Sequence, residues 1–165
     1  MSKSKGNVVV PNDLIEQYGA DAVRYWSANA RLGADTANDE QVFKVGKKLV
    51  VKIFNASKFV LNNFHKIDVL DKSNIKNPLD KSLVYIFNNY LEKITESLNK
   101  YQFAEALNLT EDFFWNYFTD NYIELVKNRR LNGSSVDSLS ASTTLILILE
   151  NVLKLFAPFV PMITD

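Results

Sequence analysis

Apolar positions along most of the chain recur at three- and four-residue steps rather than alternating, and five glycines and four prolines leave few breaks in 165 residues. That spacing predicts an all-α bundle of amphipathic helices. Residues 1–11 depart from it. The stretch MSKSKGN is a short polar loop carrying Lys3, Lys5 and Gly6, and Val8, Val9 and Val10 follow as an extended run closed by Pro11. Asn12 or Asp13 can cap a short helix that stops near Gly19, and a second covers about residues 20–29 with Val23, Tyr25 and Trp26 as its apolar content. Gly33 and the polar run through Asn38 then make a connection.

From Asn38 the pattern lengthens. Val42, Val45, Leu49, Ile53, Ala56 and Val60 form one stripe, with Asn38 and Gln41 placed as a capping box. Residues 65–77 read as a polar linker, and Pro78 opens the next helix at a position where its missing N–H does no harm. Its buried face is marked by Leu79, Leu83, Ile86, Phe87, Tyr90, Ile94 and Leu98. A helix over residues 103–130 is apolar on most of its circumference between Phe113 and Val126, which predicts a central place in the bundle. The serine-rich stretch 132–142 reads as a loop, and a last helix runs from Leu139 or Ser140 to Phe156, ahead of Pro158 and Pro161. The chain so divides into residues 1–36, a loop with two short helices, and residues 37–165, a helical bundle. Thr164 has the character of an N-cap with no helix after it, and the opening loop has no preceding element to lie on. A piece of a larger protein, truncated at its C-terminal end, is therefore expected.

Lys+Arg and Asp+Glu number 19 each, so the formal net charge is zero and any nucleic-acid contact must use local patches. There is no cysteine and one histidine, His65, which removes a disulfide scaffold and a thiolate nucleophile and leaves a zinc site or a Ser-His-Asp triad poorly supported. No metal site is expected. The longest apolar stretches, such as residues 145–149, fall short of the roughly 20 residues that span a bilayer. No apolar signal-peptide core follows Met1, so a cytoplasmic chain without a membrane is expected, and the amphipathic segments carry enough apolar residues for a monomeric bundle.

Two lysines two apart, serines before and between them and a glycine suit a polyphosphate, since ammonium groups offset charge on a departing phosphoryl group and small side chains let backbone N–H groups approach. On composition alone a solvated tail fits better. The loop is not a Walker A motif.

Resemblance changes this. MSKSKGN followed by VVVPNDLIEQYGADAVRYW resembles the KMSKS signature loop of class I aminoacyl-tRNA synthetases and the helices after it. ARLGADTANDEQVFKVGKKLVVKIFNASKFV is similar to the valine-specific members in particular. FFWNYFTDNYIELVKNR resembles the central helix of the anticodon-binding domain shared by the valine, isoleucine and leucine enzymes, and LKLFAPFVPMITD its closing segment. The resemblance implies that Lys3 is the second signature lysine, catalytic through contact with ATP phosphates, and that Ser2 and Ser4 are the ATP-binding loop serines. It also implies ATP, with magnesium, as a substrate of the parent, and the anticodon arm of a valine tRNA and the rest of the synthetase as partners. The first signature lysine would precede Met1, and no HIGH-type motif is present. The chain alone is therefore expected to be inactive as a ligase.

Candidate RNA contacts are Lys44, Lys48 and Lys52, four apart on one helical face with Lys47 beside them, and the cluster Lys127, Arg129 and Arg130 at the end of the central helix. Each could equally be a solvated face. Phe113, Phe114, Trp115, Tyr117, Phe118 and Tyr122 read as core rather than as stacking platforms. Asp120 and Glu124 are expected to pair with Lys127 or Asn128, Asn55 and Lys58 to bond across helices, and His65 to cap or be solvated. The equivalent part of an isoleucine or leucine enzyme, a free-standing helical RNA-binding module and a helical protein-interaction domain remain alternatives.

Overall fold

A computed structural model of the chain describes residues 11–31, 33, 39–62 and 71–165. They form α1 (Pro11–Tyr18), α2 (Ala20–Ala28), α3 (Glu40–Leu61), α4 (Pro78–Asn99), α5 (Phe103–Asp112), a π-helical segment (Phe113–Tyr122), α6 (Ile123–Asn132), α7 (Ser135–Phe156) and α8 (Pro161–Thr164). One 3₁₀ turn, Lys72–Asn74, precedes α4, and no strand occurs among the described residues. The fold is all-α, as the periodicity predicts. Ser2, Lys3, Ser4, the valine run, Asn38 and His65 lie outside the described residues.

Local chemistry sets the helix starts. Asn77 accepts from the Leu79 N–H at 3.0 Å, with Pro78 at the first position. On α3 the cap is Asp39, which accepts from the Gln41 N–H at 2.9 Å, one residue later than expected. The larger departure is α7, which begins at Ser135 rather than at Leu139 or Ser140. Ser134 accepts from the Asp137 N–H at 3.2 Å and donates to Asp137 Oδ2 at 3.0 Å. Ser138 donates to Arg130 O at 2.6 Å, and Ser140 Oγ accepts from the N–H groups of Lys76 and Asn77 at 3.0 and 3.2 Å. With fixed partners, these serines no longer compete with the helical backbone. By length and composition α7 could cross a membrane, but Leu145, Ile148, Leu149, Val152 and Phe156 are buried in the bundle.

The aromatic segment is central, but it does not wind as one α-helix. Across Phe113–Tyr122 the backbone is π-helical, and the Ile123 N–H bonds to Phe118 O, five residues back. Buried pairs Phe113-Phe114, Phe118-Thr119 and Tyr122-Ile123 recur every four to five residues. That wider step turns Tyr117 to the rim, where its ring stacks on Phe113 at 6.1 Å.

On α3 the buried side is Phe43, Gly46, Leu49, Ile53, Ala56 and Val60. The expected Val45 is exposed and Phe43 takes its place, stacked between Tyr18 and Trp26 at 5.4 Å from each. Gly46 admits α2: a Cβ there would sit 2.8 Å from the Tyr25 ring. On α4, Leu79 is exposed and Asp80 is buried. Thr164 is the last residue of a helical turn, its hydroxyl donating back to Val160 O and Pro161 O.

Candidate nucleic-acid interface

Because α3 buries one stripe, its opposite side is free to carry charge. Lys44, Lys47, Lys48, Val51, Phe54, Asn55, Lys58 and Leu61 are exposed on it. From Lys44 to Lys58 the helical rise gives a span of about 21 Å. Lys44 pairs with Glu40 at 2.9 Å, and Glu40 also accepts from the Tyr18 hydroxyl at 2.8 Å. Those hydrogen bonds, Lys44's first, hold the Glu40 carboxyl below its ordinary range. Lys47 donates to Gln17 O at 3.3 Å. Lys48 and Lys58 have no hydrogen-bond or ion-pair partner among the described residues. Lys52 leans toward the central helix, 2.8 Å from Asp120 and 5.0 Å from the Trp115 ring centroid. The Lys52 hydrogen bond in turn lowers the Asp120 pKa. Asp120 thus pairs across helices, whereas Glu124 pairs with Lys127 at 2.5 Å as expected.

The three basic residues that end the central helix have different surroundings. Lys127 faces solvent, its ammonium 5.8 Å from the Phe59 ring centroid. Arg130 is 6% exposed and donates to Phe59 O and Val60 O at 3.1 and 2.7 Å. It thereby supplies donors to carbonyls in the last turn of α3, which have no helical partner among the described residues. Burial pushes its pKa down, and its Nε has no partner among the described residues.

Arg129 reaches into a polar knot around Asp80, a residue fully buried on the first turn of α4. Its Nη1 lies 2.9 Å from Asp80 Oδ2, and its Nη2 bonds Oδ1. The Tyr122 hydroxyl donates to Oδ1 at 2.8 Å and Ser140 Oγ to Oδ2 at 2.5 Å. One carboxylate so fastens α4, the π-helical segment, α6 and α7, with all its partners supplied. Burial, then the neighbouring Asp80, pushes the Tyr122 phenol far above its ordinary range and keeps it a donor. The signal for this knot is Asp at the third helical position of α4, which a first-turn acidic preference explains equally well.

Phe54 and Lys58 extend the exposed face beyond the residues that spacing singles out. Phe54 is 56% exposed, and Lys58 is not engaged across helices as expected. Four of the six aromatics of the central segment are buried; Trp115 and Tyr117 reach the rim. No three acidic or histidine side chains converge as a metal site among the described residues.

Comparison with known proteins places this geometry. Residues 1–39 match the family described as tRNA synthetases class I (I, L, M and V). Valine–tRNA ligase of Wolbachia pipientis wMel is 47% identical over 165 residues, covering 100% of this chain and 19% of that protein. Valine–tRNA ligase of Rickettsia prowazekii (strain Madrid E) is 46% identical over 176 aligned residues, with 100% and 22% covered. The chain spans about a fifth of the length of these relatives. Among solved structures, LeuRS of Agrobacterium radiobacter K84, in a ternary complex with tRNA and LeuAMS, superposes with a TM-score of 0.72 over 100% of this chain and 19% of its own. At 18% identity that likeness speaks to the fold. Residues 80–165, more than half of the 165, match the anticodon-binding domain of tRNA ligase, and the chain belongs to that family.

Proposed function

We propose that this chain is the part of a valine–tRNA ligase that binds the anticodon arm of valine tRNA, within a cytoplasmic parent that joins valine to tRNA with ATP and magnesium. The observation that carries it is the 42–47% identity to valine–tRNA ligases along the whole chain. That identity favours the valine reading over an isoleucine or leucine equivalent. The class I match over residues 1–39 supports the same parent. In it, Lys3 meets the ATP phosphates as the adenylate forms, flanked by Ser2 and Ser4. Without an amino-acid pocket the chain alone is a monomeric binding module and does not aminoacylate.

In this reading Lys44, Lys47, Lys48 and Lys52 meet phosphates of the anticodon arm along α3, and Lys127 meets one near its C-terminal end. Arg129 and Arg130 act in the same site by holding the frame, since their guanidinium groups are engaged inside the bundle. The test is a titration of the valine-tRNA anticodon stem-loop at several salt concentrations. Each lysine neutralised to Ala should flatten the plot of log affinity against log salt by about one unit. A control stem-loop carrying a leucine anticodon should bind more weakly. Unchanged affinity and slope after all five lysines are neutralised would refute this face, and equal binding of both stem-loops would refute valine specificity.

A further inference from the structure

The end of α4 is built against the preference of its own sequence. The Gln102 N–H donates to Ser97 O at 2.9 Å and the Tyr101 N–H to Leu98 O at 3.0 Å. These are the paired bonds of a Schellman termination, whose left-handed residue is ordinarily Gly or Asn. Here it is Tyr101, at φ 57°, the one non-glycine residue of positive φ among the described residues. A bulky side chain in that conformation is an outlier, and strain of this kind is retained where it serves a site.

Burial does not explain the tyrosine. Its side chain is 70% exposed, and Phe103, edge-on to it at 6.2 Å and 82°, is 41% exposed. Both rings line a cleft of about 910 Å³ between the ends of α2, α4 and α5, together with Arg31, Lys93 and Lys100. Glu96 and Glu105 also line it, and Glu96 is taken up by Lys100 at 2.6 Å. Arg31 and Lys93 have no carboxylate partner among the described residues. None of the α3 lysines reaches this cleft.

We infer that the cleft holds an unpaired nucleotide of the bound tRNA, its base stacked on Tyr101 with Phe103 at the edge and its phosphate met by Arg31 and Lys93. The inference rests on the tRNA reading above and adds a contact separate from the lysine row. A solvent-facing ring flanked by cations is the chemistry that holds unstacked bases, because every base offers a π face and its phosphate needs a counter-charge. The left-handed backbone at Tyr101 turns the ring out of the helix end and into the cleft, where a residue in ordinary helical geometry would continue α4.

Fluorescence anisotropy with full-length valine tRNA tests this on the chain, on Tyr101→Gly and on Tyr101→Phe. Glycine suits the positive φ, so Tyr101→Gly should melt at the same or a higher temperature while its Kd for tRNA rises about tenfold, the effect of one lost base stack. Tyr101→Phe keeps the ring and should bind within about twofold of the parent chain. Tyr101→Gly binding as tightly as the parent would overturn the inference and leave the tRNA reading standing. Failure of the unsubstituted chain to bind tRNA would overturn both.

Discussion

Arg129→Ala separates a structural cation from an RNA contact, and its effect follows from the burial of Asp80. The substitution removes two hydrogen bonds to a carboxylate with 0% exposure, leaving it with the Tyr122 and Ser140 hydroxyls alone. The arginine side chain is itself 18% exposed, so solvent screens the pair little. Breaking a buried pair by removing one partner costs about 3–5 kcal/mol. Against a total of about 5–15 kcal/mol for a domain, and about 2–4 °C per kcal/mol at this size, the melting temperature should fall by about 6–20 °C. Lys127→Ala is the control two residues away. Its pair with Glu124 has side chains 45% and 57% exposed, which is worth about 0–1 kcal/mol. Urea unfolding followed by circular dichroism measures both. A double cycle with Asp80→Asn should show the combined loss to be smaller than the sum, since the two residues share one interaction. Arg129→Ala that melts with the parent chain while flattening the salt dependence of tRNA binding would refute this reasoning and make Arg129 a surface phosphate contact.

Three further outcomes follow from the same contacts. Gly46→Ala should lower the melting temperature despite the helix-propensity gain of about 1 kcal/mol, because the added Cβ would lie 2.8 Å from the Tyr25 ring and 3.1 Å from its Cβ, and the second atom cannot swing away; an unchanged or higher melting temperature would contradict the α2–α3 approach. Glu111 accepts from the Tyr25 hydroxyl at 3.0 Å, and burial raises its pKa above 4.5. A raised carboxyl stabilises the fold below its unfolded pKa and loses that contribution as pH rises through the folded value. Glu111→Gln should therefore gain stability relative to the parent chain as pH is raised from 4 to 7, and a difference flat across that range would contradict the burial. In the full parent enzyme, Lys3→Ala should slow valine-dependent pyrophosphate exchange far more than it weakens valine binding, as for a contact made in the transition state; an equal effect on valine affinity would remove that role.

Helix identity was legible in the sequence where one rule governed the chain. α4 starts where Asn77 and Pro78 mark it, and the lower half of α3 buries Leu49, Ile53, Ala56 and Val60 on the expected stripe. Legibility failed where a partner distant in sequence decided the outcome. The start of α7 was misplaced because the groups that fix Ser138 and Ser140, namely Arg130, Lys76, Asn77 and Asp80, come from other elements. Residues 113–122 read as a helix apolar nearly all round because a 3.6-residue period was imposed on a π-helical backbone. The lysine row of α3 was visible as spacing, but the different surroundings of Arg129 and Lys127, two residues apart, were not. Hydropathy ranks them alike, and only the position of Asp80 on α4 tells them apart.

The placement of α2 bears on how the two matched regions work together. Residues 1–39 and 80–165 match different families, yet α2 is fastened to the bundle by polar groups that leave it little freedom. Asp21 accepts from the N–H groups of Met162 and Ile163 at 3.1 and 2.9 Å, and Arg24 donates to Pro158 O and Phe159 O at 2.8 and 3.2 Å. One turn on, the Tyr25 hydroxyl reaches Glu111 of α5, and its ring lies against Gly46 of α3. α2 therefore contacts the start, the middle and the end of the bundle. These bonds are charge-assisted and directional, so α2 cannot rotate or slide by a turn without stranding Asp21 and Arg24. The short α1 that precedes it carries Tyr18, whose ring packs on Phe43 and whose hydroxyl reaches Glu40. Through Glu40 that contact extends to Lys44, the first lysine of the α3 row. In the proposed function, the segment that follows the signature loop and the face that meets RNA thus share one rigid frame, which is what presenting a tRNA held at its anticodon arm in register to a distant active site would require.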